Sequence, residues 1–388
     1  MPIIFRLAIF VLMIKIFFSL TILIVVLMLN SCEFFEGSSH IDADDPNIEY
    51  IGRFDFSNPK SVRFDWSGVQ IRTRFKGTSC SIRLKDGNND YNVFLDGRFH
   101  KIIRTTSDTI YVLANGLKNK THNLLITKRT EALFGQAAFE GLILDGGKDL
   151  VKSIEILKKR KIEFVGDSYF TGFGSEGDSS DCVFSRETQS SYVSFGPQLA
   201  RRFDAEYSIV AISGSGIVKN YGDSLRTSEF PLPHYYNRTC LNDTLLWDFK
   251  QWQPDAVVVR LGRNDYSQKP HPKREMFRTA YLKLISDIRR HYPNAHIFAL
   301  CSPLRKDPHC DYINSVVNEI RFKNGDKKIH FVKIDVKFNL QRDFGCEKHP
   351  NRFGHQKIAD FLEPIIREEM KWESLLKRIF PSNPFTKK

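Results

Sequence analysis

The segment Ile162-Glu163-Phe164-Val165-Gly166-Asp167-Ser168 is a short apolar stretch that ends in the tripeptide Gly-Asp-Ser. It predicts a buried strand that presents Ser168 at its carboxyl end. Further apolar strands are predicted at 207–212, 256–261, 295–300 and 329–334, and helical spacing is found at 190–203, 277–288, 312–322 and 355–372. Continuously apolar strands that alternate with helices are typical of a parallel sheet covered on both faces. We therefore expect an α/β domain over residues 150–377, followed by a tail over 378–388.

A different periodicity precedes this domain. Val62, Phe64 and Trp66 alternate with polar residues, and the same period of two recurs between turn signals such as Asp96-Gly97 and Asn115-Gly116. Many short strands without a helix-length pattern indicate an all-β domain, either a β-sandwich or a jelly roll, over residues 48–149. The short acidic stretch 33–47 is predicted to be a linker.

The N-terminus predicts export. Residues 7–29 are almost all apolar, interrupted by Lys15, and Leu29-Asn30-Ser31-Cys32 resembles a bacterial lipobox. This resemblance implies that residues 1–32 hold a signal peptide and that Cys32 is the lipidated first residue of a lipoprotein at the cell surface or in the periplasm. An uncleaved membrane anchor is the alternative, because an apolar run of this length can span a bilayer.

The composition argues against a nucleic-acid partner. The 388 residues carry 57 Lys and Arg against 45 Asp and Glu, a net charge of +12. The basic residues are scattered, and no zinc-finger, RNP-like or basic-helix pattern accompanies them. We interpret the charge as a solvated basic surface. Contact with a membrane is expected only through the N-terminal lipid or anchor.

Candidate catalytic residues follow the predicted strands. Ser168 follows the first, Gly214 the second and Asn264 the third, and His349 precedes the last helix. The carboxyl ends of parallel strands meet at one edge of a sheet, so these residues are expected to converge there. A serine nucleophile needs a base within hydrogen-bond reach, and backbone or amide N–H groups can stabilise an oxyanion. Each residue also has a structural alternative: a helix cap for Ser168, tight turns for Gly214 and Asn264, and competition from His355 for the role of base.

Taken together and in this order, these residues resemble the SGNH, or GDSL-type, hydrolases. The resemblance narrows to carbohydrate esterase family two, the two-domain acetyl xylan esterases, and covers roughly residues 50–365. The segments that carry it are Gly52-Arg53-Phe54-Asp55, Arg83-Leu84-Lys85-Asp86, Lys128-Arg129-Thr130-Glu131-Ala132, Ile162 to Ser168, Val218-Lys219-Asn220-Tyr221-Gly222, Trp247-Asp248-Phe249, Gln253-Pro254-Asp255 and Gly345-Cys346-Glu347-Lys348-His349-Pro350.

The resemblance implies a jelly roll followed by a flavodoxin-like three-layer SGNH domain. It implies deacetylation of plant polysaccharide or oligosaccharide, of the xylan or glucomannan type, without a metal or another cofactor. Ser168 would be the nucleophile and His349 the base, and the oxyanion hole would consist of the Ser168 N–H, Gly214 and Asn264.

The chain departs from this pattern at two positions near His349 and at one in the pocket. Cys346 stands where most SGNH enzymes have Asp, and Glu347 where the esterase family more often has Asp. Either the Glu347 carboxylate or a backbone carbonyl is therefore expected to orient His349. Arg263 stands where a smaller residue is usual, which changes the shape or the charge of the pocket.

Two other functions are compatible with the same fold. One is a carbohydrate-binding lipoprotein without turnover, and the other is a lipase or thioesterase. The presence of Ser168, Gly214, Asn264 and His349 together favours an enzyme. The N-terminal β domain, which minimal lipases and thioesterases lack, favours the esterase.

The cysteines and the linker yield two further predictions. We expect a disulfide between Cys310 and Cys346 in neighbouring strand-end loops, with Cys182–Cys240 as a weaker second pair and with Cys80 and Cys301 free. The sequence contains no C-x-x-C pair, so a structural zinc site is not expected. The short charged linker 150–161 predicts that the two domains pack directly, with Tyr169, Phe170 and Tyr266 as candidates to shape a cleft beside Ser168.

Overall fold

The computed structural model describes residues 37–152, 160–302 and 307–373. The predicted signal peptide and lipobox at 1–32, and the predicted tail at 378–388, lie outside the described residues. Within the described ranges, no helix combines the length and the apolar character needed to cross a membrane.

The N-terminal domain contains two antiparallel sheets. One has the strand order β1-β10-β5-β8, with β3 also paired to β10, and the other has the order β2-β4-β9-β6-β7. The strands of the first sheet are β1 (Ser39–Ile41), β3 (Val62–Phe64), β5 (Cys80–Lys85), β8 (Thr109–Ala114) and β10 (Ala137–Leu144). Those of the second are β2 (Glu49–Ile51), β4 (Gln70–Gly77), β6 (Asp90–Leu95), β7 (Arg98–Arg104) and β9 (Lys120–Lys128). Val62, Phe64 and Trp66 are fully buried, as the period of two predicts.

The predicted linker 33–47 is wrong where it includes β1. Ser39 pairs with Leu144, and Ile41 pairs with Leu142. A three-residue edge strand is too short to show a period, and backbone pairing with β10 forms it instead. Gly141 of β10 permits this contact, because a Cβ there would lie 2.1 Å from the carbonyl oxygen of Ile41.

The second domain is the predicted parallel sheet, in the order β12-β11-β13-β14-β15. Its strands are β11 (Arg160–Gly166), β12 (Ala205–Ala211), β13 (Ala256–Arg260), β14 (His296–Cys301) and β15 (Ile329–Lys333). Its helices are α1 (Ser168–Thr171), α2 (Phe195–Arg202), α3 (Arg274–His291), α4 (His309–Lys323) and α5 (Arg352–Glu369). The helix predicted at 190–203 is shorter, because the serines at 190, 191 and 194 favour turns and caps over helix interior.

Both faces of this sheet are buried, as expected for a three-layer domain. Phe164 and Val258 belong to the same apolar cluster as Leu199 of α2 and Ile358 of α5. The alternate strand residues, such as Val257, belong to the cluster of α3 and α4, which extends into the sandwich.

The two domains contact each other through buried polar groups. Trp66 donates its indole N–H to the carbonyl oxygen of Thr239 at 2.9 Å, and the Asp65 carboxylate accepts the N–H of Leu241 at 2.6 Å. Arg53 of the sandwich pairs with Glu163 in the middle of β11 at 3.1 Å, and both side chains are 1% exposed. The prediction of direct domain packing is therefore confirmed.

Candidate active site

Ser168 is the first residue of α1, directly beyond the carboxyl end of β11. Asp167 is the cap of this helix, since its side chain accepts the N–H of Tyr169, so Ser168 is not the cap. The turn is tight: a Cβ on Gly166 would lie 2.5 Å from the ring of Phe170 and 2.7 Å from the carbonyl oxygen of Arg260. Glycine at position 166 therefore allows the chain to turn sharply and leaves the Ser168 side chain at the sheet edge.

His349 lies beside Ser168. Its Nε2 is 2.9 Å from the Ser168 Oγ, and its Nδ1 is 3.1 Å from the carbonyl oxygen of Glu347. A carbonyl can only accept, so Nδ1 carries the proton and Nε2 is free to accept the proton of Ser168. Burial lowers the pKa of His349, and the contact with the Glu347 carbonyl opposes this shift. The imidazole is thus neutral near pH 7, as a general base must be.

The carboxylate of Glu347 does not contact the imidazole. Its Oε1 accepts the N–H of Phe184 at 3.2 Å, so Glu347 faces His349 through its main chain. The expectation that the Glu347 carboxylate orients His349 is therefore wrong, and the alternative, a backbone carbonyl, makes this contact. The reason is the backbone: Glu347 and Lys348 have φ angles of 52° and 58°, in the left-handed region that non-glycine residues seldom adopt, and this turns the side chain away.

Asp167 and Arg260 form a buried ion pair beneath the nucleophile. Both oxygens of Asp167 contact Arg260 Nη1, at 2.6 and 2.7 Å, and the guanidinium lies 3.4 Å from the centroid of the Tyr169 ring. The carboxylate of the Gly-Asp-Ser motif therefore positions the turn and does not contact His349. Arg260 was not predicted from the sequence, where its only signal is a charge at the end of an otherwise apolar strand.

Three candidate oxyanion donors line the same cavity as His349: the Ser168 N–H, Gly214 and Asn264. Asn264 Nδ2 donates one hydrogen to the carbonyl oxygen of Ser215 at 2.9 Å, which leaves its second N–H for a ligand. Gly214 has a φ of 75°, a conformation that favours glycine. The adjacent Asp265 accepts the N–H groups of residues 217–219, and burial raises its pKa to about 6.

The cavity has a volume of about 630 Å³, and both domains line it. Glu131, Leu133 and Phe134 come from the sandwich. From the α/β domain, the rings of Phe173 and Phe184 stack with centroids 3.7 Å apart, and Phe184 also packs against Phe134, with centroids 6.3 Å apart. Neither Phe173 nor Phe184 was identified from the sequence, because both lie in segments without a periodic pattern.

The other predicted aromatic and histidine candidates have different positions. Tyr169 lines the cavity, but Phe170 and Tyr266 are core residues, and the prediction that they shape the cleft was wrong. His355, the competing base, is 1% exposed and packs against Tyr169, and burial lowers its pKa to about 3. Arg263 lines the cavity and pairs with Asp307 at 3.2 Å.

The disulfide prediction Cys310–Cys346 was wrong. The structure pairs Cys182 with Cys346, with Cα atoms 4.5 Å apart, and Cys301 with Cys310. The segment that holds Cys182 folds over the His349 loop: Glu347 N–H donates to the Cys182 carbonyl at 3.0 Å. Cys310 instead is the second residue of α4, close to Cys301 at the end of β14.

The other two cysteines among the described residues, Cys80 and Cys240, are buried and free, so the Cys182–Cys240 pair was also wrong. Among the described residues, the one group with the spacing of metal ligands is Cys301, His309 and Cys310. Cys301 and Cys310 are bonded to each other in a disulfide, and none of the three residues lines the cavity.

Comparison with known proteins agrees with this architecture. Residues 50–153 match the family described as carbohydrate esterase 2 N-terminal, and residues 164–357 match the GDSL-like lipase/acylhydrolase family. A cellulase/esterase, CelE, of Acetivibrio thermocellus is 35% identical over 346 residues, which is 87% of this chain but 41% of that protein. An acetylxylan esterase/glucomannan deacetylase of Cellvibrio japonicus is 28% identical over 81% of this chain and 87% of its own length.

Solved structures give the same result. A family two carbohydrate esterase from Clostridium thermocellum in complex with cellohexaose has a TM-score of 0.78 and 34% identity, over 84% of this chain and all of that one. A family two carbohydrate esterase from Cellvibrio japonicus has a TM-score of 0.76, which shows the fold alone because its identity is 23%. Because this chain matches the whole of the Clostridium thermocellum family member at 34% identity, it belongs to carbohydrate esterase family two.

Proposed function

We propose that the protein is a serine esterase that removes O-acetyl groups from plant polysaccharide of the xylan or glucomannan type. The observation that carries this proposal is the contact of 2.9 Å between Ser168 Oγ and His349 Nε2 at the wall of an open cavity. The names of the Cellvibrio japonicus relatives, acetylxylan esterase/glucomannan deacetylase, support the substrate class.

The proposed reaction is a two-step acyl transfer. His349 Nε2 takes the proton of Ser168 as Oγ attacks the acetyl carbonyl carbon. The Ser168 N–H, the Gly214 N–H and the free N–H of Asn264 then stabilise the negative oxygen. As the tetrahedral intermediate collapses, the bond to the sugar oxygen breaks and His349 returns its proton to that oxygen. In the second step His349 deprotonates water, which attacks the acetyl-enzyme, and acetate leaves as Ser168 regains its proton.

The exposed side chains that line the cavity support a sugar ester over a long-chain lipid. Its rim holds Leu133, 61% exposed, and Tyr221, 70% exposed, on opposite domains. Exposed aromatic and apolar side chains beside polar groups are suited to the flat, amphipathic faces of sugar rings. The acyl group itself must fit beside Gly214 and Asn264, the candidate oxyanion donors.

The test compares acyl chain length, polymer and nucleophile. The full chain should release acetate from acetylated xylan and glucomannan, and it should hydrolyse an aryl acetate much faster than an aryl octanoate. Ser168→Ala should abolish hydrolysis while polymer binding in an affinity gel persists. Preference for the octanoate would indicate a lipase, and binding without acetate release by the wild-type protein would indicate a carbohydrate-binding function.

For localisation, the proposal is an exported lipoprotein anchored through Cys32. It rests on the lipobox-like sequence Leu29-Asn30-Ser31-Cys32. Metabolic labelling with a fatty acid should label the wild-type chain but not Cys32→Ser. Membrane association of Cys32→Ser without lipid label, at the size of the full chain, would indicate an uncleaved anchor instead.

A further inference from the structure

The loop that presents Gly214 is bound to the sandwich domain by one carboxylate. Glu131, which follows β9, is 2% exposed, and its Oε2 accepts the N–H of Ser213 at 2.7 Å. Its Oε1 accepts the side-chain amide of Gln189 at 3.0 Å, and the carbonyl oxygen of that amide accepts the Glu131 N–H at 3.1 Å. Glu131 therefore joins the sandwich domain to two segments of the α/β domain, those that contain Gln189 and Ser213.

This tether holds the peptide unit next to the one that carries a candidate oxyanion donor. The Gly214 N–H belongs to the peptide between residues 213 and 214, so its direction depends on the anchors on either side. Glu131 holds the N–H of Ser213, and Tyr221 N–H donates to the Gly214 carbonyl at 2.7 Å. The Ser213 hydroxyl also lies 2.8 Å from Thr171 Oγ1, which donates to the Ser168 carbonyl at 3.2 Å. The loop and the nucleophile turn are thus held in one network.

The sandwich holds Glu131 rigidly. Lys128 is fully buried, and its Nζ donates to the carbonyl oxygens of Thr130 at 2.9 Å and Glu131 at 3.1 Å. Ser191 of the α/β domain donates its hydroxyl to the Lys128 carbonyl at 3.0 Å. A side chain fixed at both its backbone and its carboxylate can place a hydrogen-bond partner precisely, as preorganised sites require.

We propose that Glu131, supplied by the sandwich domain, is a positioning residue that holds the Gly214 donor of the oxyanion hole in its productive orientation. This inference rests on the proposed esterase function. It assigns the sandwich a part in the chemical step, in addition to forming a wall of the cavity.

The chemistry of the contact makes the proposal testable. Both side-chain partners of Glu131, the Ser213 N–H and the Gln189 amide N–H, are donors, so a carboxylate satisfies both. In Glu131→Gln, one oxygen becomes an NH₂ group that faces a donor, and one hydrogen bond is lost. In the double variant Glu131→Gln/Gln189→Glu, the new amide accepts from Ser213 and donates to the new carboxylate at 189. That carboxylate also accepts the backbone N–H of residue 131, so every donor regains an acceptor.

The experiment measures aryl acetate hydrolysis by the full chain and its variants. Loss of one oxyanion donor typically lowers turnover ~10²–10³-fold, so a misplaced Gly214 N–H in Glu131→Gln should lower kcat by about 10-fold to 10²-fold. KM should change by less than about twofold, because the aryl acetate has no sugar to contact the cavity wall. The double variant should recover kcat to within about threefold of the wild type.

Asp65→Asn is the matched control. Asp65 is also a buried sandwich carboxylate that accepts a backbone N–H of the α/β domain, from Leu241 at 2.6 Å, but neither residue lines the cavity. This variant should keep the wild-type kcat even where its stability falls. Hydrogen exchange gives a readout independent of activity: Glu131→Gln should speed exchange in the peptide containing Ser213 and Gly214, and Asp65→Asn only near Leu241.

The experiment distinguishes failure of the positioning role of Glu131 from failure of the esterase function. If the wild type hydrolyses the acetate and Glu131→Gln keeps the same kcat, the esterase proposal stands and the positioning role is refuted. A kcat loss of equal size in Asp65→Asn, or a double variant no better than Glu131→Gln, would also refute the role, since either would show a general effect on packing. A wild type that hydrolyses no acetate ester would refute both proposals.

Discussion

The disulfide Cys182–Cys346 offers the sharpest test of how the base is held. Cys346 lies three residues before His349, and between them Glu347 and Lys348 both adopt left-handed backbone conformations. Two main-chain hydrogen bonds of 3.0 Å also join this loop to the segment with Cys182, from Glu347 N–H to the Cys182 carbonyl and from Lys348 N–H to the Ser180 carbonyl. Replacing Cys346 with Ala removes the covalent part of this clamp and leaves the hydrogen bonds.

The expected loss of stability follows from the 164-residue sequence separation of the two cysteines. The chain-entropy relation for a loop of this length gives about 5 kcal/mol, and removing native disulfides typically costs ~2–5 kcal/mol. Activity should fall as well, because each left-handed residue is unfavourable by ~1–3 kcal/mol and persists only where its surroundings enforce it. A loop that relaxes moves the imidazole away from Ser168, and a displacement of ~1 Å can lower the rate ~10²-fold.

The assay combines denaturant unfolding with aryl acetate hydrolysis for Cys346→Ala, Cys182→Ala and the double variant. Either single change opens the same bridge, so the three variants should lose similar stability and similar kcat. Cys240→Ala is the control, because Cys240 is buried but free and lies outside the cavity. If Cys346→Ala keeps the kcat of the wild type, the bridge does not position His349 and the argument from backbone strain is refuted.

Four other changes give separate tests. Asn264→Ala removes an oxyanion donor and should lower kcat ~10²–10³-fold at nearly constant KM, measured with an aryl acetate. Glu347→Gln should lower kcat less than about threefold, against ~10³-fold or more for His349→Ala, because the carboxylate contacts Phe184 and not the imidazole; equal losses would contradict this assignment. Burial lowers the pKa of His349, and its neutral form is the base, so kcat/KM should decline on acidification with a midpoint below the ordinary histidine value of about 6.5; a midpoint above it would be inconsistent. Arg53→Met leaves the buried Glu163 carboxylate with the hydroxyls of Tyr236 and Tyr292 but without its cation, and should destabilise the protein by ~3–5 kcal/mol in denaturant unfolding; an unchanged midpoint would exclude a contribution from this pair.

Local pattern was sufficient for the architecture and for the position of the nucleophile. Strands such as 162–165 and 256–261 are apolar except for Glu163 and Arg260, because both faces of the sheet are covered. The run of apolar residues along the sequence indicates that burial. Once the strands were located, topology alone brought Ser168, Gly214 and Asn264 to the same edge. Ser168 and His349 could be paired because the chemistry of a serine nucleophile requires a base.

The features that the sequence did not reveal depend on contacts between distant segments. Cys346 could have paired with any cysteine in a strand-end loop, and only the path of residues 172–189 over the His349 loop selects Cys182. Glu347 resembled a triad member at its spacing from His349, but a backbone conformation that spacing cannot encode directs its side chain to Phe184. Glu131 lies in a segment that carries the family resemblance, but its role could not be predicted, since the partners of its carboxylate come from the other domain.

These long-range contacts bind the sandwich and the α/β domain into one catalytic unit. Arg53 pairs with Glu163 on β11, the strand that leads to Ser168, and Glu131 holds the loop after β12, which carries Gly214. The domains also approach closely at β12, where a Cβ on Gly68 would lie 2.8 Å from the side chain of Ile209. Ser168 and Gly214 follow two neighbouring strands of the same α/β sheet, so a shift of the sandwich would reach the oxyanion hole through Glu131, which holds the loop after β12. Among the contacts between the domains, the one made by Glu131 therefore constrains the geometry that the oxyanion hole requires, whereas changes at Arg53 or Asp65 should act on stability.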